Sequence, residues 1–267
     1  MKSKIKKPPV ALTIAGSDSG GGAGIQADLK TFAALGVHGT SAITCLTAQN
    51  PKTILGIQSA QPEFVRQQLE AVFAEFSPQA VKTGVLFSAE IIRVVINFFK
   101  MAKRPPLIVD PVMIATTGQE LLKPGALKIL KNDLLPLASL VTPNLNEAEI
   151  LMGNKISSLE ELRAAAKEIY FRFGCAALVK GGHLKNINDA IDFFYDGKTE
   201  LMLSAPFIKY ISTRGTGCVY SAAIAGYLAL ENDLPKAVHR AKEFISQAIA
   251  QSWRVGNHFV LNSIWKE

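Results

Sequence analysis

The sequence predicts an α/β fold in which helices cover both faces of a mostly parallel β-sheet. Short runs rich in Val, Ile and Leu alternate through most of the chain with segments whose apolar residues recur three and four positions apart. That alternation is typical of parallel strands joined by crossover helices. Later the pattern changes, because two apolar runs flank Asp196-Gly197, a strong signal for a β-hairpin. We therefore expect an antiparallel hairpin at an edge of the parallel sheet.

The individual elements follow from the same two patterns. The predicted parallel strands are Val10–Ala15, Thr40–Leu46, Ala80–Val85, Leu107–Val109, Leu140–Thr142 and Ala176–Lys180. The predicted helices between them are Ile25–Leu35, Glu63–Phe76, Ala89–Met101, Ala126–Leu134 and Leu159–Phe173. The hairpin strands are Ala190–Tyr195 and Glu200–Leu203, and the closing helices are Cys218–Leu230 and Pro235–Trp253. Pro235 suits a first helical position, and Gly256 suits a helix stop.

Composition and charge exclude several classes of protein. The 267 residues are 48% hydrophobic and 19% charged, and no apolar stretch approaches the roughly 18 to 20 residues of a membrane span. We expect no transmembrane helix, and no secretory signal, because the first apolar run is short and meets Asp18. Lysines at positions 2, 4, 6 and 7 supply four of the net +7 charges, which leaves 7 − 4 = +3 elsewhere. Without a stripe of arginines among aromatic residues, nucleic-acid binding is not expected.

The cysteines and the organisation of the chain indicate its cellular location and its number of domains. Cys45, Cys175 and Cys218 are odd in number and widely spaced, so they match neither a disulfide framework nor a Cys-x-x-Cys metal site. A reducing, cytoplasmic location fits this pattern best. No linker, repeat or low-complexity tract divides the chain, and we predict a basic tail over residues 1–9 and one domain over residues 10–267.

The first glycine-rich segment, GSDSGGGAGIQADLK at Gly16–Lys30, ends a strand and opens a helix. One interpretation is a tight turn. A Rossmann G-x-G-x-x-G fingerprint is not met, because Ile25 occupies the place of its last glycine. Asp18 stands where the backbone can approach a ligand closely, at the carboxyl end of a strand. We predict that this segment binds a hydroxyl or a polar ring group of a small molecule.

The second glycine-rich segment is Gly215-Thr216-Gly217, which precedes a long Ala-rich helix. Backbone amides at such a helix start, together with the helix dipole, form an anion site suited to a transferring phosphate. The alternative is a glycine-rich cap with small residues for close packing. Cys218 at this position would have its thiolate favoured, unless it is one of the commoner buried structural cysteines.

Four further motifs, KTG, VDPV, TPNLNEAE and VKGG, each follow a predicted parallel strand. Because open parallel sheets bind ligands outside the carboxyl ends of their strands, Asp110, Asn144, Glu147 and Lys180 are expected to converge. Carboxylates, an amide and a lysine together indicate Mg²⁺ and phosphate. Each residue also has an ordinary interpretation, since Asp before Pro turns a chain, Asn144 can cap the helix of Glu147, and Lys180 can be solvated.

Other catalytic classes lack their motifs. The four histidines, His38, His183, His239 and His258, show no H-x-x-x-H spacing, and no G-x-S-x-G stands with them. A Walker A loop is also absent from the sequence. A kinase with this sequence must therefore hold phosphate in another way.

Taken together, the motifs resemble one family. GSDSGGGAGIQADLKTFAALG, TCLTAQN, KTG, DPVM, TPNLNEAE, VKGGHL and GTGC occur in order between Leu12 and Leu230, and they are similar to those of the hydroxymethylpyrimidine/phosphomethylpyrimidine kinases of thiamine biosynthesis. The resemblance implies a ribokinase-like three-layer α/β/α sandwich with an antiparallel edge hairpin, and it implies ATP and Mg²⁺ as cofactors. It also implies a pyrimidine substrate and a homodimer.

The resemblance assigns residues to each part of the site. Gln49 matches the residue that binds the pyrimidine, and Gly16, Asp18 and Val85 match positions that line the same pocket. For the nucleotide end, the matching residues are Lys180, Asn144 and Glu147 near ATP, Asp110 and Glu147 for Mg²⁺, and Gly215, Thr216, Gly217 and Cys218 as the anion hole and catalytic position.

The sequence departs from the usual pattern of the family at a few places. Val85 stands where Met is frequent, Thr116-Thr117 where Lys-Ser is frequent, Asn146 for Pro and Arg214 for His. Two other functions therefore stay open: a pyridoxal or related vitamin kinase on the same fold, and a non-catalytic pyrimidine-binding protein.

Overall fold

The computed structural model describes residues 7–101, 104–114, 118–182, 184, 189–208 and 214–265. Within these residues, the main sheet contains nine strands. In chain order they are β1 Val10–Asp18, β2 His38–Gln49, β3 Ile54–Ser59, β4 Ala80–Thr83, β5 Leu107–Val109, β6 Leu140–Val141, β7 Ala176–Lys180, β8 Asp189–Tyr195 and β9 Glu200–Pro206. Their order across the sheet is β3-β2-β1-β4-β5-β6-β7-β8-β9.

The strand directions confirm the predicted sheet. The six strands from β2 to β7 in the spatial order are parallel to one another, and β8 and β9 continue the sheet as an antiparallel hairpin. The Asp196 carboxylate accepts hydrogen bonds from the backbone amides of Lys198 and Thr199, at 2.9 and 2.6 Å. Gly197 has a φ of 92°, which favours glycine in this turn.

Helices cover both faces of this sheet, which gives the predicted three layers. They are α1 Gly24–Ala34, α2 Pro62–Glu75, α3 Ala89–Lys100, α4 Ala126–Ile129, α5 Leu145–Met152, α6 Leu159–Phe173, α7 Thr216–Ala229 and α8 Leu234–Ala250. One core lies under α2 to α6 and the other under α1, α7 and α8. In β5, Leu107 and Val109 face the first core while Ile108 faces the second, as the two-residue period of a strand requires.

Two antiparallel strand pairings were not predicted from the sequence. β3 pairs antiparallel with β2 at the edge opposite the hairpin, and its mostly solvent-facing residues lack the apolar run by which the buried strands were found. The predicted extension of the last helix to Trp253 is wrong, because α8 ends at Ala250. Trp253–Val255 (β10) and His258–Val260 (β11) instead form a separate antiparallel pair around Gly256.

Other boundaries shift by up to three residues. The predicted helix Ala126–Leu134 is one turn of α-helix, a π-helical turn at Leu130–Leu134 and then a 3₁₀ turn at Leu135–Leu137. Residues 1–6 of the predicted basic tail lie outside the described residues. Among the helices that the structure describes, none has the length and apolar character of a membrane span.

Candidate active site

The carboxyl ends of the parallel strands bring three of the predicted site residues together. Asp110 directly follows β5, Asn144 lies beyond β6, and Lys180 ends β7. Asn144 and Lys180 form an isolated parallel bridge, in which the Lys180 amide donates to the Pro143 carbonyl at 2.9 Å. The Lys180 side chain extends past β6 to the end of β5, where its Nζ lies 3.2 Å from Asp110 Oδ1. The convergence that the strand-end motifs predicted is present.

Asp110 is a buried carboxylate with donors on both oxygens. Besides Lys180, the Thr142 hydroxyl donates to Oδ1 at 3.2 Å, and the Ser221 hydroxyl donates to Oδ2 at 3.2 Å. Thr142 directly follows β6, the strand next to β5, and Ser221 lies one turn into α7. These contacts fix the carboxylate between the sheet and the helix that carries the second glycine segment.

Glu147 lies in the first turn of α5 and forms a capping box with Asn144. Its amide donates to Asn144 Oδ1 at 3.0 Å, and its carboxylate accepts from the Asn144 amide at 2.8 Å, so the capping interpretation of Asn144 describes this contact. Burial raises the pKa of Glu147 to about 7, although the positive charge of Lys180 lowers it. The carboxyl group is therefore poised to change its charge near neutral pH.

The second glycine segment begins α7 directly beside Lys180. Gly215 is the N-cap residue, with a φ of 78°, and Thr216, Gly217 and Cys218 form the first turn. A Cβ atom on Gly217 would lie 3.1 Å from Lys180 Nζ and 3.8 Å from Asp110 Oδ2. The helix start, with its amides and its dipole, thus adjoins the lysine, which is a suitable environment for phosphate.

The first glycine segment is organised by Asp18 and meets the second. The buried Asp18 carboxylate accepts hydrogen bonds from the amides of Gly20, Gly22 and Ala23, at 2.8, 3.1 and 2.9 Å. A Cβ atom on Gly215 would overlap the Gly22 carbonyl oxygen. Backbone therefore touches backbone here, and the carboxylate of Asp18 shapes the loop as well as lining the predicted pocket.

The predicted pyrimidine-binding residues lie at the ends of β1, β2 and β4. A Cβ atom on Gly16 would lie 2.7 Å from Cys45 Sγ and 3.7 Å from Val85 Cβ, so Gly16 and Val85 adjoin each other. Gln49 ends β2, and its backbone N and O both bond to the Ser19 hydroxyl, at 2.8 Å each. Thr116 and Thr117 lie outside the described residues.

Cys218 lies at the predicted position, and of its two interpretations the buried cysteine describes its thiol, while the favoured thiolate does not. Burial raises the pKa of its thiol to about 11, and the charges of Asp28 and Asp110 raise it further, while Lys82 lowers it. Desolvation of the charged form outweighs the attraction of the helix start. At neutral pH the group is a thiol.

A buried ion pair behind Cys218 was not predicted. Lys82, in β4, lies 2.8 and 3.0 Å from the two oxygens of Asp28, in α1, and both side chains are fully buried. The Thr13 hydroxyl donates to the same carboxylate at 2.6 Å. Burial alone would lower the pKa of Lys82, but the charge and hydrogen bond of Asp28, together with Asp110 and Cys218, raise it, and the net direction is upward. The KTG motif marked Lys82, whereas Asp28 had no local signal within its helix.

The chain is similar to known proteins over most of its length. A model of the phosphomethylpyrimidine kinase family matches residues 18–262. The hydroxymethylpyrimidine/phosphomethylpyrimidine kinase of Rhizobium meliloti is 47% identical over 92% of this chain and 92% of its own length. The thiamine biosynthesis bifunctional protein ThiED of Geobacter sulfurreducens is 46% identical over 95% of this chain, which spans only 52% of that protein.

A solved structure is similar over nearly its whole length. It is the crystal structure of an ADP complex of Bacillus subtilis pyridoxal kinase, which superposes with a TM-score of 0.89 at 35% identity and covers 96% of this chain and 98% of that one.

Proposed function

The chain belongs to the phosphomethylpyrimidine kinase family, and we propose that it transfers the γ-phosphate of ATP to a hydroxymethylpyrimidine and to its monophosphate, in thiamine biosynthesis. The observation that carries this proposal is the position of Gly217 beside Lys180 and Asp110. A helix start, a lysine and a fixed carboxylate are the parts that phosphoryl transfer needs. The relatives named for this reaction match over most of both chains.

In this proposal the residues of the second glycine segment hold the transferring phosphate. The amides at the start of α7 and the Lys180 ammonium face the same space, so they stabilise the negative charge that develops on the equatorial oxygens. Asp110 orients Lys180 through their 3.2 Å contact. Gln49, Gly16 and Val85 line the pyrimidine end of the site.

Magnesium fits the residues present. Within the described residues no three His, Cys, Asp or Glu side chains form a metal cage, and Mg²⁺ in such sites is usually held by one or two carboxylates and the nucleotide phosphates. Asp110 and Glu147 are two buried carboxylates whose charges act on each other. We propose that they hold the ion, which would neutralise phosphate charge when bound.

The two acceptors place different demands on Cys218. An alcohol must lose a proton to attack phosphorus, whereas a phosphate monoester with a second pKa near 6 is already mostly dianionic at pH 7. With a thiol pKa of about 11, only about one Cys218 in ten thousand is a thiolate at pH 7. Any proton that Cys218 accepts from the alcohol must go to this small thiolate fraction. In this proposal Cys218→Ala slows phosphorylation of the alcohol more than that of the monophosphate, and an equal loss on both acceptors would exclude Cys218 as the base.

The function is tested by ATP turnover with Mg²⁺ on hydroxymethylpyrimidine, its monophosphate and pyridoxal, with products followed by mass. We expect both pyrimidines to react. Phosphorylation of pyridoxal alone would assign the chain to the activity named for the similar Bacillus subtilis structure. Binding of the pyrimidines without turnover would identify a binding protein.

The family resemblance also leads us to propose a homodimer in the cytoplasm. Light scattering of the purified chain at several concentrations tests the dimer, since a constant mass near that of one 28.8 kDa chain would contradict it.

A further inference from the structure

A cavity of about 330 Å³ lies where the two glycine-rich segments meet. On one side are Asp18, Gly20 and Gly22 of the first segment, and on the other is Arg214, the residue before Gly215. The remaining wall of the cavity is formed by Pro51 and by Asn257, His258, Phe259 and Val260 of the β10–β11 hairpin. It is therefore adjacent to the anion hole but extends toward the surface.

Arg214 connects the two ends of the site. Its Nη1 donates to the carbonyl of Asn50, the residue that follows Gln49 at the end of β2. Its own backbone continues directly into Gly215, the cap of α7. Arg214 therefore links the end of β2, which carries Gln49, to the start of α7.

The guanidinium of Arg214 lines the cavity and is only partly hydrogen-bonded within the described residues. Arg214 Nε is buried and has no hydrogen-bond partner among the described residues. An unpaired buried donor destabilises a fold, so packing alone does not explain this placement. Asp18 also lines the cavity, but within the described residues its carboxylate is held by the three amides of its own loop.

We propose that Arg214 binds the phosphate of the pyrimidine monophosphate and makes this acceptor preferred over the alcohol. This proposal rests on the proposed function. A dianionic phosphate offers the paired oxygens that a guanidinium binds most strongly, whereas a neutral hydroxymethyl group offers only one weak acceptor. Arg214 is thus a specificity residue of the second phosphorylation.

The reaction places the acceptor phosphate where Arg214 can reach it. An oxygen of that phosphate forms the new bond to the γ-phosphorus, the bond from that phosphorus to the β,γ-bridging oxygen breaks, and ADP leaves with the electron pair. A dianionic acceptor gives up no proton in this step. In this proposal the attacking oxygen binds at the start of α7, and the other oxygens of the acceptor phosphate bind Arg214, which precedes Gly215 and lines the adjoining cavity.

The test compares Arg214→His with the unaltered protein on both acceptors at saturating Mg²⁺ and ATP. We expect the KM for the monophosphate to rise by about 10- to 100-fold, with the KM for the alcohol within about twofold. Arg214→Lys keeps the charge without the fork and should fall between the two. Arg254→His is the matched control, because Arg254 is an exposed arginine of β10 that does not line the cavity.

The outcomes separate this proposal from the proposed function. An equal loss on both acceptors in Arg214→His and in Arg214→Lys would overturn the phosphate-binding role of Arg214. If Arg214→His does not fold, Arg214→Lys decides, and an unchanged ratio of the two KM values overturns the proposal. If the unaltered protein turns over neither acceptor, the proposed function itself fails.

Discussion

Lys180 and Asp110 are 70 residues apart in sequence, and their side chains meet with Nζ 3.2 Å from Oδ1 at the carboxyl edge of the sheet. Asp110 is 3% exposed and Lys180 14%, so water reaches the pair mainly from the side of the lysine. That side is also where Gly217 lies. The absence of a side chain at Gly217 keeps the approach to the lysine open.

Replacing Gly217 should separate activity from stability. In Gly217→Ala the added methyl group would occupy the space 3.1 Å from Lys180 Nζ, while Ala favours a helix by about 1 kcal/mol over Gly. We expect at least a tenfold loss of kcat/KM for ATP, by rough comparison with the loss of one oxyanion donor, and an unchanged or higher melting temperature. Gly56→Ala is the control, since nothing lies within 4 Å of that position. Full activity in Gly217→Ala would contradict a phosphate site formed by the start of α7 and Lys180.

The buried pair of Lys82 and Asp28 should behave as one unit. Lys82→Met alone leaves a buried carboxylate unpaired and should lower the free energy of unfolding by about 3–5 kcal/mol. Asp28→Leu alone should do the same for the lysine, and the double variant should recover most of the loss. Urea unfolding of all four proteins measures the coupling. Additive losses in the double variant would show that the pair does not act as a unit.

Glu147 should make stability depend on pH. Its pKa is raised from 4.5 to about 7 in the fold, so its contribution to stability is fully present below pH 4.5 and is lost as the pH rises through about 7. Glu147→Gln does not titrate, and at pH 8 it should be more stable than the unaltered protein by up to about 3 kcal/mol. Thermal unfolding without ligands, between pH 4.5 and 8, measures the difference.

Glu149 on the same helix provides a control of opposite sign. Its pKa is lowered by a hydrogen bond from Lys155, so Glu149→Gln should lose stability relative to the unaltered protein as the pH rises above about 4.5. A lower stability of Glu147→Gln at pH 8 would mean that the carboxylate of Glu147 is favoured by the fold.

Cys218 should react slowly at neutral pH. Because burial raises the pKa of the thiol to about 11, alkylation by iodoacetamide should accelerate by about tenfold per pH unit up to the highest pH at which the fold survives. Cys45 has a similar pKa but is only 1% exposed, so peptide mass spectrometry should find it unlabelled in the folded protein. A labelling rate that levels off below pH 9 would indicate a stabilised thiolate.

The sequence predicted best where the signal is local. α6 occupies the predicted bounds Leu159–Phe173, because the Ser158 side chain caps one end and Gly174, with a φ of 73°, ends the other. The hairpin at Asp196-Gly197 is another local signal, in which the turn residues determine the pairing. The convergence of Asp110 and Lys180 followed from a rule about sheet edges rather than from either residue.

What was missed depends on contacts between distant residues. The Asp28–Lys82 pair spans 54 positions, and nothing near Asp28 distinguishes it from a surface residue of a helix. The sequence left the pKa of Cys218 undecided, because the helix start is visible in the sequence, whereas the burial that raises the pKa comes from the packing of α7 on the sheet. The β10–β11 hairpin was not predicted, and its first residue, Trp253, was assigned to the closing helix because the apolar period of that helix continues almost to it.

The contact between Gly215 and Gly22 restricts which residues can occupy position 215. Any side chain at Gly215 meets a carbonyl oxygen of a segment more than 190 positions away, in a backbone conformation that L residues rarely adopt. Gly153 has a similar φ, of 85°, but open space around it, so Asn is an acceptable substitute there. In a library of random variants, we therefore expect several residues at position 153 among the folded proteins, but only glycine at position 215.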